Sequence, residues 1–183
     1  MEKTVLVPVA DGTEELEAVA IIDVLRRAGV KVTVASVTGR LQITASRGVV
    51  IVADALIEDC EDRKYDLVVL PGGIPGAEHL RDSVHLTRLL KRQKKTNRLY
   101  GAICASPAVV LAHHGLLEGR RATCHPGFVD KLPSKDPAST RVVADGNCIT
   151  SRGPGTAIEF ALALVGRLCG KEKQNEVAAP MVL

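Results

Sequence analysis

Cys104 lies where a buried strand should turn into a helix. The run Leu99-Tyr100-Gly101-Ala102-Ile103 is apolar, small residues flank the thiol, and Pro107 follows three positions later. Proline is favoured at the first helical position because it lacks an N–H that would be unpaired there anyway. The thiol is therefore predicted on a tight strand-to-helix turn, the geometry of a nucleophile elbow. Unpaired N–H groups and the positive end of the helix dipole favour the thiolate at such a point. Buried cysteines are also commonly inert packing residues, and it is the elbow context that favours a nucleophile here.

Other segments carry groups that could assist a thiol. Asp11-Gly12-Thr13-Glu14-Glu15-Leu16-Glu17 opens a helix, and carboxylates in a first turn suit the helix dipole. That accounts for Glu14 and Glu15. Glu17 has Leu16 and Ala18 beside it and Ile21 one turn on, so it can point inward. Burial would then raise its pKa and suit it to shuttle protons. Pro71-Gly72-Gly73 follows an apolar run and reads either as a structural turn or as a place where the Gly73 N–H approaches a reacting oxygen. With the N–H of Ala105 it would form an oxyanion hole. His125, in Thr123-Cys124-His125-Pro126-Gly127, is either a loop residue with a local hydrogen bond or an accessory to the thiol. His113 and His114 close a helix before Gly115, where cations are favoured.

The elements that must position these groups alternate in type. Strands are predicted over Thr4–Val9, Lys31–Val37, Tyr65–Leu70 and Arg98–Ile103. Helices are predicted over Glu15–Ala28, Val84–Lys95, Ala105–His113, Thr156–Leu168 and Glu172–Val177. In the first helix, Leu16, Val19, Ala20, Val24 and Leu25 are expected on one face. Two hairpins are expected, Leu41–Ile43 with Val49–Val52 and Arg141–Ala144 with Cys148–Thr150. This alternation predicts an α/β sandwich with a mainly parallel sheet, and function at the carboxyl ends of its strands.

Composition narrows the class. With 183 residues and no linker, repeat or low-complexity stretch, one domain over 1–183 is expected. Aromatics are 2% and Trp is absent, so the core must be Val, Leu, Ile and Ala. Lys91, Arg92, Lys94 and Lys95 form the one dense basic run; without interleaved aromatics it reads as a solvated helix face, and no specific nucleic acid is expected. No apolar run approaches a membrane span and no signal peptide is evident. The five cysteines are odd in number and lack C-x-x-C spacing, which disfavours disulfides and zinc and favours a reduced compartment.

Taken together, the motifs resemble the ThiJ/PfpI family, in the branch of the parkinsonism-associated deglycase (DJ-one). The matching pieces are Val7–Glu17, Leu25–Ala35, Ser46-Arg47, Val69–Gly76, Ala102–Pro107, Thr150–Thr156 and Gly170–Lys173. The resemblance implies a flavodoxin-like three-layer sandwich and a homodimer. It implies that Cys104 is a low-pKa nucleophile, Glu17 its hydrogen-bonded acid, Gly72, Gly73 and Ala105 the oxyanion and substrate contacts, and His125 an accessory residue. No cofactor or metal is implied. The expected activity is conversion of methylglyoxal or glyoxal, and of early glycation adducts on proteins, to hydroxy acids without glutathione. The alternative is a redox sensor or chaperone acting through Cys104 sulfinic acid. The compartment expected is cytoplasmic, with nuclear or organellar placement open.

Some positions depart from the family pattern. Ala45 and Val52 stand near where some relatives carry cysteines, Ala105 stands where the protease-like branch has His, and Ser106 breaks the G-x-C-x-G elbow of amidotransferases.

Overall fold

The structure is a computed structural model describing residues 2–134 and 139–183. Among the described residues nine strands form: β1 (Thr4–Val9), β2 (Lys31–Ser36), β3 (Gln42–Thr44), β4 (Val50–Val52), β5 (Ala55–Leu56), β6 (Leu67–Leu70), β7 (Leu99–Ile103), β8 (Val142–Asp145) and β9 (Cys148–Ser151). Seven make one sheet in the order β5-β2-β1-β6-β7-β9-β8, parallel except for the β8–β9 hairpin. The expected 41–52 hairpin forms as a separate antiparallel pair, β3 with β4.

The helices are α1 (Glu15–Arg27), α2 (Gly76–Asp82), α3 (Val84–Lys95), α4 (Ala157–Cys169) and α5 (Lys171–Ala178). The chain leaves β1 through α1 toward β2 on one side, and returns through β6 and α3 to β7 on the other. Right-handed crossovers in opposite directions place these helices on opposite faces of the sheet. The result is a flavodoxin-like α/β sandwich.

Strand and helix bounds agree with the sequence reading to within two residues at most elements. Two elements had no sequence signal strong enough to be read. α2 is one short segment entered through Pro75, and β5 is two residues on the sheet edge, followed by a 3₁₀ turn at Ile57–Cys60. The core is aliphatic as expected, with Tyr65, Tyr100 and Phe160 its buried aromatics. The Tyr100 hydroxyl donates to the Leu116 carbonyl at 2.8 Å, which satisfies its polar end.

One expectation about α1 is corrected. Leu16 and Val19 are 53% and 50% exposed, and Ala20 is only partly buried. The face against the core is Glu17, Ala18, Ile21, Val24 and Leu25. The helix is apolar on two sides, so periodicity alone could not choose between them. In the fold α1 packs against α4 and β2, and Leu16 and Val19 stay half exposed. Each of Ile21, Val24 and Leu25 contributes roughly 1.5–3 kcal/mol of burial.

Candidate active site

Three neighbouring strands, β1, β6 and β7, end at the same edge of the sheet. The chain turns from one half of the sheet to the other between β1 and β6, and ligands favour such a switch point. Past β1 comes the loop into α1, past β6 comes Pro71-Gly72-Gly73, and past β7 comes Cys104.

Cys104 has φ of 64°, a left-handed conformation that a residue with a Cβ adopts only under constraint. The constraint is visible. Its N–H donates to the Ser151 carbonyl at 3.0 Å, and its own carbonyl accepts from the His125 N–H at 2.8 Å. The buried Ser106 hydroxyl donates to the Pro71 carbonyl at 2.5 Å, latching the elbow to the β6 loop. Pro107 begins a helical segment through Ala112 with π-type turns, narrower in extent than the expected 105–113 helix. Ser106 is thus a positioning residue, where the sequence shows only a departure from a motif.

Glu17 is fully buried, as an inward-facing side chain at the start of the helix must be. Its Oε2 accepts the Gly72 N–H at 2.8 Å, while Oε1 is buried without a hydrogen-bond donor of normal geometry among the described residues. Its carboxyl also interacts with the Cys104 thiol. Burial pushes the Glu17 pKa up to about 7, opposed by the Gly72 N–H and reinforced by Glu14.

Cys104 is 9% exposed, and the N–H groups of Gly73 and Ala105 are directed at its sulfur. Opposing influences act on this thiol. Burial and the Glu17 carboxylate push the Cys104 thiol up to about 12, against the lowering from the two N–H groups. The thiol and the Glu17 carboxyl therefore compete for one proton. The two groups behave as a coupled pair rather than as an independent acid and thiolate.

Gly72 separates the pair. A Cβ there would lie 2.5 Å from the Cys104 Cβ and 2.8 Å from Glu17 Oε2, so only glycine admits this approach. Gly72→Ala is expected to cost roughly 1–3 kcal/mol by overpacking. A thermal melt tests this, and an unchanged Tm would contradict the close packing. Gly73 has φ of 92°, and a Cβ there would meet the Gly12 carbonyl oxygen at 2.3 Å. This backbone freedom turns its N–H toward the sulfur.

His125 is exposed. Its backbone reaches Cys104, but its ring Nδ1 accepts the Gly127 N–H at 3.1 Å and caps a 3₁₀ turn, Pro126–Lys131. The ring thus makes the local hydrogen bond, and the backbone N–H ties this loop to the elbow. Glu15 is corrected: it is 8% exposed and accepts from the Ser46 hydroxyl at 2.8 Å and the Arg47 N–H at 2.7 Å. It ties α1 to the β3–β4 hairpin, a contact 31 residues away that no local pattern reveals. Among the described residues all five cysteines are free, and no group of three His, Cys, Asp or Glu side chains could hold a metal.

A strained cysteine elbow facing a buried carboxyl at the switch point of a flavodoxin-like sheet defines a class of thiol-bearing α/β proteins. The chain belongs to the DJ-1/PfpI family, whose model matches residues 3–167. It is 54% identical over 169 residues to protein DJ-1 homolog B of Arabidopsis thaliana, covering 92% of this chain and 39% of that protein. The chain spans less than half the length of the Arabidopsis relatives it matches. It is 39% identical to the glutathione-independent glyoxalase DJR-1.2 of Caenorhabditis elegans, covering 98% of this chain and 95% of that protein. The structure of oxidized Toxoplasma gondii DJ-1 superposes with a TM-score of 0.96 at 49% identity, covering 98% of each chain.

Proposed function

We propose that the protein is a glutathione-independent glyoxalase, converting methylglyoxal or glyoxal to the hydroxy acid at Cys104, and that it removes early glycation adducts by the same chemistry. The observation that carries this reading is the buried Glu17 carboxyl set against the Cys104 sulfur across Gly72. The glyoxalase named above, 39% identical over nearly the whole chain, supports it.

The steps follow from the groups present. Glu17 takes the thiol proton, and the sulfur adds to the aldehyde carbon to give a hemithioacetal. The oxygen that gains charge is stabilised by the N–H groups of Gly73 and Ala105. Glu17 then moves a proton from the former aldehyde carbon to its neighbour through an enediol, and His125, tied to the elbow through its backbone N–H, is the proposed accessory. The aldehyde carbon is oxidised and the ketone carbon reduced within one molecule, so no outside electron acceptor is needed. Water cleaves the resulting thioester, returning the thiol and releasing lactate or glycolate. The test is lactate production from methylglyoxal in glutathione-free buffer. Steady turnover is expected, and a single stoichiometric consumption of aldehyde would reduce the protein to a reactive thiol.

A second reading is favoured by the oxidised state of the similar Toxoplasma structure. Cys104 can accept oxygen as sulfinic acid, with a protonated Glu17 donating to it. Mild peroxide should then give a two-oxygen adduct on Cys104 alone, read by mass spectrometry. Uniform oxidation of all five thiols would exclude a sensor.

A second copy of the chain is the partner that fits the exposed apolar residues Leu16 and Val19 on α1 and Val50 and Val52 on β4. No helix among the described residues is long and apolar enough to cross a membrane. Five free cysteines suit a reduced, cytoplasmic setting.

A further inference from the structure

The basic residues near the end of α3 do not form one solvated face. Lys94 turns toward the body of the protein and donates to the Gly115 carbonyl at 2.8 Å. Arg92 turns another way, its Nη2 donating to the carbonyls of Glu61 at 2.6 Å and Arg63 at 2.5 Å. Arg98, just before β7, donates from Nη1 to the Tyr65 carbonyl at 3.1 Å. With Lys64, the side chains of Arg92 and Arg98 line a depression of about 300 Å³, closed by Gln93 and Thr96.

Among the described residues, none of Lys64, Arg92 and Arg98 forms a salt bridge. Two nearby carboxylates are already engaged. Glu61 pairs with His85 and Arg88, and Asp66 accepts from the Thr4 N–H and hydroxyl. Cations at a helix C-terminus are ordinarily explained by the dipole, worth about 0.3–1 kcal/mol. That explains Arg92, but not Lys64 or Arg98, which come from other segments. Both guanidinium groups are held by backbone carbonyls, so their remaining N–H donors are ordered before any ligand arrives.

We propose that the Lys64–Arg92–Arg98 depression is a second binding site, for a small ligand carrying two or more phosphoryl groups. Guanidinium forks match phosphoryl oxygens in geometry and charge. The chain's aromatics are Tyr65, Tyr100, Phe128 and Phe160, and none lines the depression, so no platform for stacking a nucleobase is present. The site is separate from the thiol. Arg98 precedes β7 and Cys104 follows it, which puts their backbones at opposite ends of this five-residue strand, roughly 20 Å apart.

Titration calorimetry of the whole protein with sodium pyrophosphate, at constant ionic strength, tests this. Saturable binding at one site per chain is expected, kept in Cys104→Ala and weakened at least tenfold in Lys64→Gln and in Arg92→Gln/Arg98→Gln. Arg92→Gln removes two carbonyl bonds, so if the double variant fails to fold, the exposed Lys64→Gln and a single Arg98→Gln decide the matter. Absence of saturation, equal affinity in these variants, or equal binding of sodium sulfate overturns the proposal. So does tighter binding of a single-stranded RNA that displaces pyrophosphate, which would mark a polymer track instead.

Discussion

Cys104→Ala is expected to lower kcat/KM for methylglyoxal by at least a thousandfold, about 4 kcal/mol of activation free energy. The reason is that every covalent step begins at this sulfur, and no other cysteine shares its surroundings. Cys60, Cys124 and Cys148 are buried, and Cys169 sits at the end of α4. The fold should persist, because alanine removes one atom and keeps the backbone bonds to Ser151 and His125. Cys104→Ser sharpens the test: it keeps size and hydrogen bonding while replacing the thiol with a far weaker acid. Lactate release by either variant within tenfold of the parent would remove the covalent mechanism. Circular dichroism and Tm, measured alongside, show whether a loss reflects chemistry or unfolding.

Glu17→Gln is expected to move activity and stability in opposite directions. Activity should fall by roughly 10²–10⁴, the range for losing a positioned general base. The substituted amide can still accept the Gly72 N–H through its oxygen, so the local geometry has a way to survive. Stability should depend on pH in a way that identifies the group. In the folded protein Glu17 titrates at about 7, against an ordinary value of 4.5. Between these values the folded state holds a proton that the unfolded chain has lost. Stability therefore falls as pH rises through the window.

Above about pH 7 the carboxylate is ionised in both states, and the native state carries the full penalty of burying it, up to about 3 kcal/mol. An uncharged amide at this position carries no such penalty. The variant should be more stable than the parent at pH 8, with the difference vanishing toward pH 4. Denaturant unfolding at several pH values reads this directly. A variant less stable at pH 8 would mean that the ionised carboxylate is well accommodated, and Glu17 would lose its role as the group that accepts the thiol proton. A buried carboxyl that weakens the fold at neutral pH is the kind of cost retained where chemistry needs it.

The elbow and the sheet were legible because their signals are local. Apolar runs of strand length, Gly and Pro stops and a cysteine three residues before a proline are properties of neighbours in sequence. They named Cys104 and Glu17 as candidates and placed β1, β6 and β7 with their ends at one edge of the sheet. What could not be read depends on which distant segments touch. Glu15 reads as a helix-dipole residue until Ser46 and Arg47 come against it. Leu16 and Val19 read as core, yet the folded helix leaves both half exposed. Ser106 reads as a broken motif until its hydroxyl reaches Pro71.

The protonation of the thiol belongs to the same group. A helix N-terminus alone argues for the thiolate, and that much follows from the order of residues around Cys104. Desolvation and a carboxylate 87 positions earlier argue the other way, and their strength depends on burial and distance. Electrostatic energy falls with separation and rises as water is excluded, so it is a property of the packed state. The chain's order therefore establishes which atoms can react, while folding alone decides how Cys104 and Glu17 share a proton.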